Sequence, residues 1–483
     1  MTAPLELARS ALSPRRAWLV GGAVRDRVLG REGSDDLDVV VDGDPAQAAK
    51  ALSAAARDGG RRVACFELSR AFGGWRVVAP GDGWQVDIEP MRGGSLEADL
   101  LLRDFTANAI AEPISGGRLI DPLGGLRDLA VRRLRAAGSQ AFADDPLRVL
   151  RLARIALELD LEPDAGTKRL AAAAAGGLAS VAGERVFAEL TRVIDASEAV
   201  RGLALLSEID ATAAVLPELD ALRGVQQSRF HHLDVHGHTI EVLAGAIALQ
   251  ADPAAVLGTG EDAELRALLA EPLAGGLTRG SALRWGALLH DIAKPSTRAV
   301  RASDGRVTFM GHDALGAELA GEILRRLRAS ERLGAHVCAL VRHHLRLGFL
   351  VHEPQPLARR TTFAYLTATE PVEVDVTLLS VADRLATRGD RAEQAIEAHL
   401  AVARPMLVAA LAWRRAGAPK PLLRGDELAA ELGIEPGPGL GVLVRALAEA
   451  RYTGEVSTRE QAIAFARGRC DAAAEGAPSR RGG

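Results

Sequence analysis

The stretch LVGGAVRDRVLGREGSDDLDVVV, residues 19–41, holds two glycines, an Arg-Asp dipeptide and closely spaced aspartates between two short apolar runs. Asp36 and Asp38 stand two residues apart where the second apolar run begins. Because alternate residues of a strand point to the same face of a sheet, a strand here places both carboxylates together and turns Asp35 away. Paired carboxylates can hold hard divalent cations on oxygen ligands. The stretch therefore predicts a metal-binding strand.

The residues before this strand suit a phosphate site. Gly21 and Gly22 allow backbone N–H groups to approach a phosphate, and Arg25 can clamp it through charge-assisted hydrogen bonds. A two-metal site benefits from a third carboxylate, for which we favour Asp87, with Glu89 as its rival. A glycine pair alone is more often only a turn, so the interpretation depends on these features occurring together.

The bulk composition limits the possible classes of protein. A chain of 483 residues is long enough for two to four domains. The net charge of −4 requires any nucleic acid to be held by local basic patches. Three widely separated cysteines fit a reducing compartment, and no apolar run is long enough to suggest a membrane span. We therefore expect a cytoplasmic protein without a membrane partner.

The distribution of residue types along the chain predicts an α+β fold. Residues 18–135 mix short β-like runs with glycine-rich turns, which indicates a mixed or antiparallel sheet with helices. From about residue 140 onward, alanine- and leucine-rich stretches follow helical spacing, so an all-α region should complete the chain.

Further motifs follow the opening stretch in a characteristic order: LRDFTANAIA (102–111), DPLGGLRDL (121–129), DDPLRVLRLARIAL (144–157) and GERVFAEL (183–190). Together with residues 19–41 they resemble the class II tRNA nucleotidyltransferases, which comprise CCA-adding enzymes and related bacterial poly(A) polymerases. The resemblance implies that Asp36 and Asp38 bind Mg²⁺, with Asp87 as the third catalytic carboxylate. It also implies nucleotide-binding roles for a set of residues along the motifs, namely Gly22, Arg25, Arg103, Asp145, Arg148, Arg151 and Arg154.

In this family an acidic residue and an arginine select the base without a nucleic-acid template, and here they correspond to Asp145 and Arg148. A carboxylate accepts from an exocyclic amine, while a guanidinium donates to ring nitrogens or carbonyls. The pair therefore suits cytosine and adenine. Asp145 followed by Pro146 is also typical of a helix N-cap, and we expect capping and base recognition together.

A second set of residues is rich in histidine. Most of the 11 histidines lie in FHHLDVHGHT (230–239), LLHDIAKP (288–295), MGHDALGAE (310–318) and VRHHLR (341–346). The spacing does not suit a zinc finger, but histidines and aspartates on separate helices can converge on metals inside a bundle. An adjacent His-Asp pair on an apolar helix is also costly to bury without such a role.

This pattern resembles the HD superfamily of metal-dependent phosphohydrolases. The core ligands correspond to His238, His290, Asp291 and Asp383; His312 and either His343, which we favour, or His344 correspond to the additional ligands of two-metal members. The resemblance implies a divalent metal such as Mn²⁺, Ni²⁺ or Mg²⁺, with Lys294 near a substrate phosphate. The alternative is a vestigial HD fold kept as a scaffold.

The two resemblances predict successive regions: a head domain (1–135), a helical nucleotide- and RNA-binding domain (136–225), an HD domain (226–400), a C-terminal helical region (401–470) and a disordered tail (471–483). We expect an enzyme that adds CMP and AMP from CTP and ATP to tRNA 3′ ends, completing CCA, with an HD phosphohydrolase activity and no DNA partner. One alternative is poly(A) or A-only addition. Another is a phosphohydrolase whose N-terminal domain only binds RNA.

Overall fold

The computed structural model describes residues 3–31, 35–69, 73–258 and 260–475. The chain divides into two compact units, Met1–Pro217 and Glu218–Gly483. The first unit contains a mixed sheet with helices, and the second is mostly helical. This arrangement confirms the predicted α+β fold class.

Among the described residues, the sheet of the first unit has six strands: β1 Ala17–Val20, β2 Asp36–Val41, β3 Ala64–Ser69, β4 Gly74–Ala79, β5 Trp84–Pro90 and β6 Ala111–Pro113. Their order is β3-β4-β5-β2-β1-β6, and every neighbouring pair is antiparallel except β2 and β5. Strand β2 forms because its β-branched run packs well in a sheet, and Leu37 and Val39 are buried on the face opposite the aspartates. The sheet thus presents Asp36 and Asp38 on one side.

Helices surround this sheet and continue beyond it: α1 Ala3–Leu12, α2 Gly22–Val28, α3 Pro45–Asp58, α4 Leu96–Leu101, α5 Gly125–Ala130, α6 Ala141–Asp144, α7 Arg148–Leu159, α8 Ala165–Ala174, α9 Gly183–Ile194, α10 Ala199–Glu208, α11 Ala211–Val215 and α12 Pro217–Asp220. A short parallel pair, β7 Arg133–Leu134 and β8 Glu162–Pro163, lies among them. Asp44 caps α3 by accepting from the Ala46 N–H, and α3 buries Ala48 and Leu52.

The described part of the second unit contains thirteen further helices: α13 Val235–Ala251, α14 Asp262–Leu269, α15 Arg279–Leu289, α16 Lys294–Thr297, α17 His312–Arg326, α18 Glu331–His343, α19 Arg346–Phe349, α20 Arg359–Thr369, α21 Glu373–Ala386, α22 Ala392–Ala416, α23 Gly425–Leu432, α24 Pro438–Thr453 and α25 Arg459–Glu475. Two small hairpins accompany them, β9 Pro272–Ala274 with β10 Leu277–Thr278, and β11 Ala299–Val300 with β12 Val307–Thr308. The core lies where α13, α15, α18 and α21 meet, and Trp285 is fully buried there.

Two helices of this unit need comment. By length and composition alone α22 could cross a membrane, yet 44% of its most apolar window is buried inside the fold. It packs on α21, and its buried side chains include Met406 and Leu407. Helix α25 runs to Glu475, so residues 471–475 are helical, which corrects the predicted disordered tail; residues 476–483 lie outside the described residues. The alanine-rich run around position 473 explains the extension.

Candidate active sites

The first candidate site is a cleft of about 520 Å³ between the sheet and helix α7. Nearly all the residues predicted for the nucleotidyltransferase site line it: Gly22, Arg25, Asp36, Asp38, Arg103, Asp145, Arg148, Arg151 and Arg154. Asp35 is exposed and lies outside the cleft, as the strand alternation predicted. The structure therefore brings together residues that are more than 100 positions apart in sequence.

Gly21 shows why the turn before α2 requires glycine. Its φ is +70°, a conformation that side chains with a Cβ rarely adopt. A Cβ at this position would also lie 2.8 Å from Oδ2 of Asp38. The glycine thus allows the α2 turn to approach the carboxylate closely.

Asp38 and Asp36 differ in their surroundings. Burial raises the pKa of Asp38 to about 6; Arg103 opposes this rise, and neighbouring Glu89 adds to it. Asp36 is exposed, and its Oδ1 accepts from Nε2 of Gln85 at 2.9 Å. A cation between these carboxylates would relieve the cost of the buried charge, so the donor set fits a divalent metal.

The two candidates for a third carboxylate occupy different positions. Asp87 pairs directly with Asp38 across the parallel strands β2 and β5. Both Asp87 oxygens accept from Arg76, at 2.7 Å each, and Asp87 does not line the cleft. Glu89 does line it. Asp87 therefore stays a prediction, because it could reach a metal only if it shared or released its contact with Arg76.

A buried network holds the cleft arginines, and two of its members were not assigned from the sequence. Arg25 Nη1 donates to Asn108 Oδ1 at 2.7 Å, and Asn108 Nδ2 donates to Asp104 Oδ1 at 2.9 Å. Arg151 Nη2 donates to Asp104 Oδ2 at 2.5 Å. Burial alone would raise the pKa of Asp104, but Arg151 lowers it below its usual value. The polar residues Asp104 and Asn108 within the otherwise largely apolar motif 102–111 could have indicated this network in the sequence.

Helix α7 begins later than expected. The sequence predicted Asp145 as its N-cap, but the helix starts at Arg148 after a tighter turn in which Arg148 N–H bonds to the Asp145 carbonyl at 3.0 Å. The Asp145 carboxylate accepts from the Leu147 N–H at 3.2 Å, which is the contact of an N-cap, and from Arg185 at 3.3 Å. Pro146 after an extended Asp145 favours this turn.

Arg148 and Arg154, the first and last of the three cleft arginines on α7, already have partners within the protein. Arg148 donates to the carbonyls of Ala141 and Leu102, at 2.9 and 3.0 Å. Arg154 pairs with Glu189 at 2.7 Å and also with Glu158. Both arginines line the cleft, and their carbonyl and carboxylate partners fix their side chains in place.

The second candidate site is a cluster of imidazoles and carboxylates in the second unit. Two groups of ligand atoms each lie within 4.8 Å of one another: His238, His290 and Asp383 form one, and Asp291, His312 and His344 form the other. Five different helices or helix ends supply them. Apart from Asp383, which is partly exposed, all of these residues are buried.

Asp291 lies at the centre of this histidine cluster. Its Oδ1 is 3.3 Å from His312 Nε2 and 3.9 Å from His344 Nε2. Its Oδ2 is 3.7 Å from His238 Nε2 and 3.1 Å from His290 Nε2. One carboxylate oxygen thus faces each group, as a carboxylate that bridges two metals would require.

The imidazoles are oriented by the backbone. Three of them place Nδ1 against the carbonyl three residues earlier: His290 on Ala287 at 2.8 Å, His312 on Phe309 at 2.6 Å and His344 on Val341 at 2.6 Å. Because a carbonyl only accepts, Nδ1 carries the proton and each Nε2 lone pair points into the cluster. The Nε2 atoms of His290, His312 and His344 have no hydrogen-bond partner among the described residues. Buried imidazole nitrogens with free lone pairs are suited to coordinate metal ions.

The members of the cluster differ in their electrostatics: burial alone would lower the pKa of His290, but Asp291 raises it above its usual value. Burial lowers the pKa of His344 to about 4, so its imidazole is neutral at pH 7, as a metal ligand must be. Burial alone would raise the pKa of Asp291, but His290 and Lys294 hold it well below its usual range. Lys294 Nζ lies 2.6 Å from Asp291 Oδ2. The lysine predicted near a phosphate is therefore in contact with the cluster itself.

His343, which we favoured from the sequence, is not in the cluster, and His344 takes its place. His343 is partly exposed, and its Nδ1 accepts from Arg346 at 2.8 Å. The sequence did contain the signal: His344 continues the buried stripe of Val337 and Val341 along α18, whereas His343 lies beside it.

Comparison with known families assigns three parts of the chain. The poly(A) polymerase head domain matches residues 17–73 and 75–135, and the HD domain matches residues 235–388. Between them, residues 160–223 match the probable RNA and SrmB-binding site of polymerase A.

Two relatives match over nearly their full length. The A-adding tRNA nucleotidyltransferase of Deinococcus radiodurans is 39% identical over 457 residues, covering 94% of this chain and 95% of the relative. The CC-adding tRNA nucleotidyltransferase of Thermus thermophilus is 33% identical over 476 residues, covering 96% and 97%. This chain belongs to the tRNA nucleotidyltransferase family. It is a nucleotidyltransferase, and the alternative of an N-terminal domain that only binds RNA is not supported.

Solved structures of similar fold extend over almost the whole nucleotidyltransferase. A complex of a CCA-adding enzyme with CTP has a TM-score of 0.63 at 17% identity, covering 97% of this chain and 94% of that one. The Thermotoga maritima CCA-adding enzyme complexed with tRNA has a TM-score of 0.61 at 18% identity, with the same coverage. At these identities the likeness concerns the fold.

Proposed function

We propose that this nucleotidyltransferase adds CMP and AMP from CTP and ATP to the 3′ ends of tRNA, completing the CCA sequence. The observation that carries the proposal is the convergence of Asp36 and Asp38 with Arg25 and Arg103 in one cleft. Acidic residues for cations and arginines for phosphates are what transfer of a nucleotide requires. Near-complete matches to tRNA-specific relatives support tRNA as the acceptor.

Each group in the cleft has a distinct task in this proposal. Asp36 and Asp38 would hold Mg²⁺, with Asp87 as a further carboxylate beside Asp38. When bound, the metal supplies positive charge that favours ionisation of the attacking 3′-hydroxyl and the departure of pyrophosphate. Arg25, fixed by Asn108, binds the triphosphate, and Arg103 counters the negative charge at Asp38.

Base selection depends on the other wall of the cleft. The Asp145 carboxylate accepts from the exocyclic amine of cytosine or adenine, and Arg148 donates to a ring nitrogen or carbonyl. For this, Arg148 exchanges a contact with the Ala141 or Leu102 carbonyl for the base. Arg151 and Arg154 complete a positively charged wall for the nucleotide.

A set of tRNA substrates tests the product directly. Transcripts that end before CCA, after the first C, and after CC are each offered CTP or ATP alone. CMP addition to the first two and AMP addition only to the third would establish CCA synthesis. Addition of AMP to the transcript that ends before CCA, or to the one that ends after the first C, would contradict it.

Addition of A alone is the second candidate product. The A-adding relative is 39% identical over 94% of this chain, compared with 33% for the CC-adding relative. The same three transcripts decide between the products. An enzyme specific for A would extend only the transcript that ends in CC and would incorporate no CMP.

We further propose that the histidine cluster hydrolyses phosphate esters, using a divalent metal such as Mn²⁺, Ni²⁺ or Mg²⁺. His238, His290 and Asp383 would hold one ion, and His312 and His344 the other, with Asp291 between them. The cluster opens on a cavity lined by Arg301, Arg306 and other cationic groups, which suits a phosphate. The metals would supply a nucleophilic hydroxide at neutral pH.

A further inference from the structure

Asp36 lies at an end of the sheet where strand pairing is incomplete. The pairing of β2 with β1 ends at Asp38. Its pairing with β5 extends further, to Asp36, which faces Gln85. Within the described sheet, Asp36 therefore has a strand neighbour on one side, and the backbone N–H of that neighbour also donates to the Asp35 carbonyl at 2.9 Å. The position of Asp36 thus depends on β5 more than on β1.

The alternation of β5 places the Gln85 side chain on the face of the sheet that carries Asp36. The residues before and after it, Trp84 and Val86, are buried, and alternate residues of a strand point to opposite faces. The Gln85 side chain is partly exposed, and its Nε2 donates to Oδ1 of Asp36 at 2.9 Å. This hydrogen bond joins two parallel strands through their side chains.

The next carboxylate along β5 is held in a different way. Asp87 faces Arg76 of β4, and both of its oxygens accept from that arginine, whose positive charge neutralises it. Gln85 faces the apolar Val78 of β4 instead, so its amide turns to Asp36 on β2. An amide has no net charge. Gln85 can therefore hold Asp36 and leave its full negative charge for a cation.

Gln85 lies outside the nucleotide cleft, whereas Asp36 lines it, so the amide can act on the site through the carboxylate. Asp38 is confined by the close approach of the Gly21 turn, but Asp36 is exposed. An exposed side chain loses rotational freedom when it binds a ligand, and a partner that already restricts it lowers that entropic cost. Outer-shell partners of this kind orient the residues that bind metals.

We propose that Gln85 is a positioning residue for nucleotide transfer: its amide holds the Asp36 carboxylate in the orientation that binds the divalent metal. The proposal rests on the metal-binding role proposed for Asp36. It follows that loss of the amide weakens metal binding and leaves the contact of Arg25 with the triphosphate in place.

Binding of Mn²⁺ to the full-length protein, measured from the electron paramagnetic resonance signal of the free ion, tests the proposal directly. The component of binding that is lost in Asp36→Ala defines the cleft site, because the histidine cluster contributes equally to both proteins. Gln85→Met, which keeps the length of the side chain and removes the donor, should weaken this component about tenfold. Gln47→Met, the same change at an exposed glutamine of α3, should leave it unchanged.

The Mg²⁺ dependence of nucleotide incorporation into tRNA gives a readout that a mere loss of packing would not move. In Gln85→Met, the Mg²⁺ concentration for half-maximal incorporation should rise about tenfold, while the KM for ATP at saturating Mg²⁺ stays within about twofold. Gln85→Lys keeps a donor beside Asp36 but adds a positive charge, so it should weaken Mn²⁺ binding further.

The possible failures are distinguishable. Mn²⁺ binding and a Mg²⁺ requirement that are both unchanged in Gln85→Met would overturn the role of Gln85 and leave the proposed function intact. A KM for ATP that rises together with the Mg²⁺ requirement would also overturn it, because the substitution would then disturb the whole cleft. If Asp36→Ala lost no Mn²⁺ binding, the metal-binding role of Asp36 would fail, and the role of Gln85 with it.

Discussion

The nucleotide cleft of the first unit takes its carboxylates from one β-strand, whereas the histidine cluster of the second unit takes its ligands from several helices. In the cleft, one strand supplies Asp36 and Asp38, and the surrounding arginines leave room for a large anionic ligand. In the cluster, separate helices each supply one or two ligands, and nearly all of them are buried. Oxygen ligands alone suit Mg²⁺, whereas imidazoles favour transition metals. Under the proposed function, it is the type of ligand that separates the two metal chemistries within one chain.

The largest effect should come from Asp38. Asp38→Ala should reduce nucleotide incorporation into tRNA by about 10³-fold or more, because the charge stabilisation supplied by a metal accounts for several kcal/mol of the barrier. Asp35→Ala is the matched control: it removes the neighbouring exposed carboxylate outside the cleft and should leave the rate within about twofold. If both variants lost nucleotide incorporation equally, the position of a carboxylate inside or outside the cleft would not decide its role.

The second largest effect should be the loss of bound metal from the histidine cluster when Asp291 is replaced. Asp291→Ala removes the carboxylate that faces both groups of ligands, so the bound metal content of the purified protein should fall to near zero. Metal analysis by mass spectrometry measures this, and nucleotide incorporation should be retained. Full metal content in Asp291→Ala would show that the carboxylate does not bridge.

The adjacent histidines of α18 offer a sharper test. His344→Ala should weaken metal binding by more than the roughly 10- to 100-fold that loss of an outer-shell partner costs, while His343→Ala should have little effect. Competition with a chelator measures both affinities. A loss at His343 and none at His344 would restore the sequence-based choice.

Asn108 should have a smaller, kinetic effect. Asn108→Ala removes the acceptor of Arg25 Nη1 and leaves Arg25 held only by Asp26, so we expect the KM for nucleoside triphosphate to rise about tenfold, with a lesser change in kcat. Steady-state kinetics with ATP separates the two parameters. An unchanged KM would mean that Arg25 does not depend on Asn108 for its position.

The smallest effect should be one of pH. Because the pKa of Asp38 is raised to about 6, protons occupy this carboxylate below that pH and compete with Mg²⁺, whereas above pH 7 it is ionised. The Mg²⁺ concentration for half-maximal incorporation should therefore be about tenfold higher at pH 5 than at pH 7. A Mg²⁺ requirement that does not change with pH would contradict the assigned surroundings of Asp38.

Local patterns in the sequence were enough to predict some of these features. The alternation of β2 correctly placed Asp36 and Asp38 in the cleft and Asp35 outside it. The parallel pairing that sets Asp87 beside Asp38 was not predictable, because register depends on where two distant strands meet. Asp145 caps the turn before α7 as expected, but the sequence did not predict that this tight turn delays the regular helix until Arg148.

The histidine cluster shows the same limit. The resemblance to the HD superfamily identified five of its six members, and the unusual His-Asp pair on an apolar helix supported that resemblance. It did not choose correctly between His343 and His344, although the buried stripe of α18 distinguishes them. Hydrogen bonds such as that of Arg25 with Asn108 require tertiary contacts between residues 83 positions apart.

The central claim is that two separate metal sites carry two separate activities. Its most direct test measures tRNA nucleotide incorporation and phosphate-ester hydrolysis on one preparation of Asp36→Ala protein. The account predicts that incorporation is lost while hydrolysis and the metal content of the histidine cluster equal those of the unaltered protein. Incorporation at the unaltered rate in Asp36→Ala protein would contradict it.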